Sequence, residues 1–160
     1  MPVYTIEVYL KENIPDVFGM GVKKSAEELG ISHIEDVRVS ELYRFSGSIS
    51  SGHLRDISEK LLIDPVIQEY SVYDKTLEKK GFWAVEVWYR QGVTDTVAAT
   101  AVSAAKDLGI KPSFSVSTGK KYYLKGRLAM KDIQAISQKI LSNSLIHDCR
   151  IYDFTRRKKK

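Results

Sequence analysis

Apolar and polar positions change period several times along the chain, and each change predicts an element. Val3 to Leu10 alternates, with Tyr4, Ile6, Val8 and Leu10 on one face and Val3, Thr5, Glu7 and Tyr9 on the other. Period two predicts a strand, and bulk on both faces predicts that both are covered. From Pro15-Asp16 the period becomes helical. Phe18, Val22, Ala26 and Leu29 form one stripe, read as core. Asp16 stands at the N-cap, and Gly30 where a left-handed terminator belongs. Ile34 to Phe45 returns to period two, with Val37, Val39, Tyr43 and Phe45 on one face. This run is long for one strand and is expected to bend or to contain a hairpin near Ser40. A Ser/Gly loop follows, and Leu54, Ile57 and Leu61 mark a second helix. Asp64-Pro65 stops it, and Val66 to Tyr73 is a last strand.

The same grammar is then written again. Leu29-Gly30-Ile31 recurs as Leu108-Gly109-Ile110, 79 positions later. At that one offset Glu7-Val8 falls on Glu86-Val87, Asp16 on Asp95, Tyr43 on Tyr122, Gly47 on Gly126, Lys60 on Lys139 and Tyr73-Asp74 on Tyr152-Asp153. About 17 identities fall among roughly 70 aligned positions without a gap, the mark of an internal duplication. Two copies are too few for a solenoid, so the chain reads as a fused pair, with repeats over 1–78 and 79–160. Each copy is strand, helix, long strand or strand pair, helix, strand. That predicts an α+β fold, β-α-β-β-α-β in each repeat, with helices on one face of a mainly antiparallel sheet. A repeat of about 80 residues is marginal alone, so the halves are expected to bury a face against each other as a pseudo-two-fold fused dimer.

Composition sharpens this only in places. The chain has 160 residues, 43% apolar and 28% charged, ordinary values for a globular protein. Its net charge of +5 comes entirely from the run Arg156 to Lys160. Of 25 basic residues five lie there, leaving 20 to balance 20 acidic ones. The body is therefore neutral, and the tail reads as a solvated end or the start of a linker. Cys149 is the single cysteine, so there is neither a disulfide framework nor a cysteine-based zinc site. No apolar run approaches the ~18 residues of a membrane span, and no signal-peptide pattern opens the chain. A cytoplasmic protein is expected.

Candidate chemistry is sparse. His33, His53 and His147 do not recur at the repeat offset, where Pro112, Asp132 and Gln68 stand instead. His147 and Cys149 share a strand face and could form an activated thiol, but the plainer reading is a small sulfur beside a surface imidazole. The loop from Ser46 to Gly52 could hold a phosphate on free N–H groups, yet it lacks the Walker spacing. Glu7 and Glu86 are mid-strand carboxylates kept in both copies. Glu41 aligns with Lys120, placing opposite charges where a two-fold axis would pair them. Nucleic-acid binding is disfavoured, because the body is neutral and no RNP1-like motif is present.

The words in the first copy resemble the PurS family, the small subunit of phosphoribosylformylglycinamidine (FGAM) synthase. Asp16, Gly19, Val22 and Leu29-Gly30 match its first helix. Asp36-Val37-Arg38-Val39 matches its next strand, though Ser40-Glu41 stands where Gly-Lys is expected. Lys60-Leu61-Leu62-Ile63-Asp64-Pro65-Val66-Ile67 matches its last signature. In the second copy Gly119-Lys120 restores the missing pair, Ser117 replaces the arginine, and Lys139 remains. Between them the copies hold one Arg38 and one Gly119-Lys120.

The resemblance implies a non-catalytic role. Such a subunit joins a synthetase (PurL) to a glutaminase (PurQ) and supports ammonia transfer between them. ATP, Mg and glutamine are used by the complex, and no cofactor or metal is bound by this chain directly. A further homo-oligomer is compatible with it. The residues that would serve an interface or channel are Glu7, Glu86, Arg38, Glu41, Gly119, Lys120, Lys60 and Lys139. The competing reading is a regulatory module of paired ACT-like domains, with a small molecule between the copies.

Overall fold

The structure, a computed structural model, describes residues 2–156. Of the basic tail, Arg157, Lys158, Lys159 and Lys160 lie outside the described residues. The first copy forms β1 (Val3–Leu10), α1 (Val17–Glu28), β2 (Ile34–Gly47), α2 (Ser51–Ile57) and β3 (Gln68–Tyr73). The second forms β4 (Trp83–Tyr89), α3 (Thr96–Asp107), β5 (Phe114–Gly126), α4 (Met130–Ile136) and β6 (His147–Asp153). The two short helices α2 and α4 run on as π-helical turns, Ser58–Leu62 and Ser137–Leu141. The fold is α+β, with strands in the order β3-β1-β2-β5-β4-β6. β1 pairs antiparallel with β2 and β3, and β4 with β6.

The run expected to bend or to contain a hairpin near Ser40 is one long strand, and so is its counterpart in the second copy. β2 runs unbroken for 14 residues and β5 for 13. Neither Ser40 nor Gly119 has the positive φ of a tight hairpin turn, and Ser40 is buried. Of the long strand or strand pair expected in the middle of each repeat, the structure has the long strand.

That length changes how the chain packs. There are two compact units, and both cut across the 1–78 and 79–160 division. The first unit takes residues 2–14, Ser40–Leu77 and Gln91–Gly119. The second takes Pro15–Val39, Glu78–Arg90 and residues 120–156. β1 therefore belongs to one unit and the helix that follows it, α1, to the other. β2 and β5 each begin in one unit and end in the other.

The cores show the exchange directly. In the first unit Ile6, Val8, Tyr43, Phe45, Leu54 and Ile57 of the first copy pack with Ala101, Ala105 and Ile110 of the second. In the second unit Ala26, Ile34 and Val37 of the first copy pack with Trp83, Val85, Val87, Leu124, Ile133 and Ile136 of the second. Each copy thus lends its first long helix to a sheet built largely from the other. A single repeat, with that helix in place on neither core, would leave this apolar surface open to water.

The helix stripe was only partly correct. Ala26 is fully buried, but Phe18 is 75% exposed. The face turned inward runs through Gly19, Val22 and Ala26, and in α3 through Ala98, Ala101 and Ala105. The reason is steric. A Cβ added at Gly19 would sit 1.9 Å from the carbonyl oxygen of Val37. The helix backbone lies directly on the strand there, so only a minimal residue fits. One position along, roughly 100° around the helix, the large Phe18 ring is turned outward.

Candidate functional site

Each copy buries one strand glutamate, and the two are satisfied differently. Glu7 on β1 is 2% exposed and accepts a hydrogen bond from the Tyr73 hydroxyl at 2.7 Å. Register places it opposite Leu42 on β2 and Ser71 on β3. Glu86 on β4 is 4% exposed and accepts from the Trp88 indole N–H at 3.0 Å. Its other oxygen lies 3.9 Å from the ammonium of Lys121, which is fully buried. Lys121 aligns with Leu42, so the second copy has put a cation where the first has an apolar side chain. The ammonium also stands 4.9 Å from the centre of the Tyr123 ring. A buried charge is tolerated when it is paired and hydrogen-bonded. Among the described residues every buried side-chain nitrogen or oxygen has a hydrogen-bond partner. Reading the sequence missed Lys121. Alternation along β5 was the available signal, because Lys121 and Tyr123 fall on the opposite face from Tyr122 and Leu124.

Both faces of β4 are covered, since Trp83 through Trp88 are all buried. One face meets the apolar core of the second unit. On the other, Lys79 stands over the rings of Phe82 and Tyr123, at 4.6 and 5.2 Å. Those rings meet edge to face at 6.4 Å. Cations held over aromatic faces are favourable when water is limited.

The two caps tie a helix to a strand in each unit. Asp16 accepts from the Gly19 N–H at 2.8 Å and, with its other oxygen, from the Val39 N–H at 2.7 Å. Asp95 accepts from the Ala98 N–H at 3.0 Å and the Thr118 N–H at 2.8 Å, and the Thr118 hydroxyl donates to it as well. These aspartates do more than the N-cap role the sequence predicted. Each also supplies a partner to a strand N–H.

The remaining candidates are scattered. Arg38 is half-buried and borders a cavity of about 200 Å³ with Met20, Lys23 and Asp36. Glu41 is exposed and accepts from the Tyr43 hydroxyl at 3.3 Å, whereas Lys120 stands 5.4 Å over the Phe18 ring. Burial, with the Glu41 carboxylate second, pushes Tyr43 up to about 12. Lys60 is exposed and pairs loosely with Asp56 at 3.9 Å. Lys139 is exposed on the second π-helical turn, and Gly119 is half-buried in β5.

In the His147–Cys149 pair the imidazole has a structural task of its own. His147 Nδ1 accepts from the Asn143 N–H at 3.0 Å. At the aligned positions the Gln68 side chain accepts from the Asp64 N–H at 2.8 Å. The histidine thus fills a turn-closing role that glutamine fills in the other copy, and burial lowers its pKa. The Ser/Gly loop is also accounted for locally, with Ser50 capping α2 through the His53 N–H at 3.0 Å. A second cavity, about 290 Å³, lies in the first unit among Tyr43, Leu61, Leu62, Val97 and Ala101. It falls at the small end of ligand sites and joins side chains of both copies, the place the ACT-like reading would put a small molecule.

The repeated caps, π-helical turns and strand-end glycines define a tandem α+β protein whose two copies share their cores. A family model, PurS, described as phosphoribosylformylglycinamidine (FGAM) synthase, matches residues 3–75 and 83–153, once in each copy. The chain belongs to this family and is a PurS-like subunit of FGAM synthase, in purine biosynthesis. Among curated proteins no match was found. No helix among the described residues is long and apolar enough to cross a membrane.

Proposed function

We propose that this chain is a non-catalytic bridging subunit of FGAM synthase, joining a PurL-like synthetase to a PurQ-like glutaminase in the cytoplasm and supporting ammonia transfer between them. The observation that carries this reading is the family match in both copies of one continuous chain. Fusion makes association of the two copies intramolecular, at effective concentrations on the order of millimolar. It also frees each copy to diverge, as Leu42 and Lys121 have. In this reading ATP, Mg and glutamine are handled by the larger subunits. Glu7 and Glu86, buried and hydrogen-bonded within their own units, hold the fold. Contact with partners falls to Glu41, Lys60, Lys120 and Lys139 on the surface, and to Arg38 and Gly119 at its margin.

The test is assembly. The chain is mixed with the purified synthetase and glutaminase subunits of the same organism and resolved by size-exclusion chromatography with light scattering. A ternary complex that forms only with this chain present is expected. Elution of all three proteins separately, at concentrations of tens of micromolar (weaker than a specific interface normally allows), would count against the bridging role.

A further inference from the structure

Within the second unit the first turn of α1 carries three large apolar side chains in water. Val17 is 76% exposed, Phe18 75% and Met20 63%. Single exposed apolar residues are ordinary, but three within one turn form a patch that calls for an explanation. The second copy supplies the comparison. Its aligned residues are Thr96, Val97 and Ala99, and Val97 is only 49% exposed. The inward face of the two helices is matched, so the fold itself does not require bulk here. One copy has acquired an aromatic and a methionine, and the other has not.

The charges beside the two turns differ as well. Lys120 stands 5.4 Å over the Phe18 ring, and Lys23 and Arg38 border the cavity next to Met20 together with the carboxylates of Asp16 and Asp36. Asp16 at the helix start is spent on the N–H groups of Gly19 and Val39. At the position aligned with Lys120 the first copy has Glu41. The patch in the second unit is therefore apolar with a mainly cationic border, while the counterpart turn is small and its aligned charge is negative.

Resting on the reading of the chain as an assembly subunit, we propose that Val17, Phe18 and Met20 are the anchor by which it docks one partner subunit, which presents an apolar recess edged by carboxylates. An aromatic anchor entering a recess carries a large share of binding energy, and a methionine adapts to an irregular wall. Cations on the rim steer an acidic partner and set the salt dependence. A second copy of this chain is the poorer occupant. A two-fold contact through this patch would bring the same mainly cationic border to both sides of the interface.

The test measures binding of the intact chain to the purified synthetase and, separately, the purified glutaminase subunit, by titration calorimetry at two salt concentrations. Phe18→Asp is expected to weaken binding to one of them by about 100-fold. Its melting temperature should hold, because the side chain lies outside the core. Lys120→Glu is expected to weaken binding several-fold and to flatten its salt dependence. Val97→Asp, the aligned change in the other copy, should leave affinity within about twofold, as a position outside the anchor does. If the wild-type chain binds a subunit and Phe18→Asp binds it equally well, the docking surface lies elsewhere and this inference is overturned while the bridging role stands. If Phe18→Asp instead abolishes self-association of the chain and leaves subunit binding intact, the occupant is a second copy and the inference is again overturned. If the wild-type chain binds neither subunit, the bridging role itself fails and takes the inference with it.

Discussion

Gly126→Ala is expected to lower the melting temperature by on the order of 10 °C. β5 ends at Gly126 with φ of +144°, a region closed to residues with a side chain. A Cβ there would lie 2.0 Å from the carbonyl oxygen of His33 and 3.0 Å from the Ile34 Cα. Neither atom can yield without moving the start of β2, and the next residue hydrogen-bonds to the same oxygen, Arg127 N–H to His33 at 3.1 Å. Backbone strain of about 1–3 kcal/mol adds to the lost hydrogen bond and the displaced strand. A total of roughly 3–5 kcal/mol is a large part of the ~5–15 kcal/mol that holds a typical domain. Gly109→Ala is the control. It also has a positive φ, +83°, but nothing lies within 4 Å of its added Cβ. That change should cost about 1 kcal/mol from the left-handed backbone alone. Thermal unfolding separates the two. A Gly126→Ala protein melting within about 2 °C of wild type, less than 1 kcal/mol at this size, would mean that the two strand ends do not abut as described.

The second large effect concerns the buried charge pair of the second unit. Glu86→Ala removes the carboxylate that lies 3.9 Å from the fully buried Lys121 ammonium. Removing one partner of a buried pair costs about 3–5 kcal/mol. The double change Glu86→Leu, Lys121→Met replaces both charges by apolar groups of similar volume and should recover most of that loss, because such replacements are often near neutral. In both proteins the hydrogen bond from the Trp88 N–H to Glu86 is lost, which sets a residual deficit of about 1–2 kcal/mol. Urea unfolding of Glu86→Leu, of Lys121→Met and of the double variant reads the coupling. Costs that simply add would show that Lys121 and Glu86 do not depend on each other.

The duplication, the strands and the helix caps were legible because each rests on local rules. The recurrence of Asp16, Gly30 and Gly47 as Asp95, Gly109 and Gly126 needs no knowledge of tertiary structure. The exchange of helices was not legible, because it depends on whether β2 turns back at Ser40 or runs on. Period two continues unchanged through Ser40, and a strand without a turn residue has no local signal of where its partner lies. Phe18 was misplaced for a related reason. Its spacing from Val22 is helical and apolar, and only the approach of the Gly19 backbone to Val37 fixes which face is inside. Lys121 shows the opposite limit. A lysine next to Lys120 reads as surface, and it takes the buried Glu86 across the strand to explain a cation inside. Arg38, Lys60 and Lys139 came from likeness to the family, and the structure puts Arg38 at a cavity, Lys60 beside Asp56 and Lys139 on a π-helical turn.

The most direct measurement is FGAM formation by the synthetase and glutaminase subunits with and without this chain, using glutamine or free ammonia as nitrogen donor. The bridging account predicts that the glutamine-dependent rate falls by about tenfold or more without the chain, as coupling energies of 1–3 kcal/mol allow, while the ammonia-dependent rate is retained. Equal glutamine-dependent rates with and without the chain would contradict it.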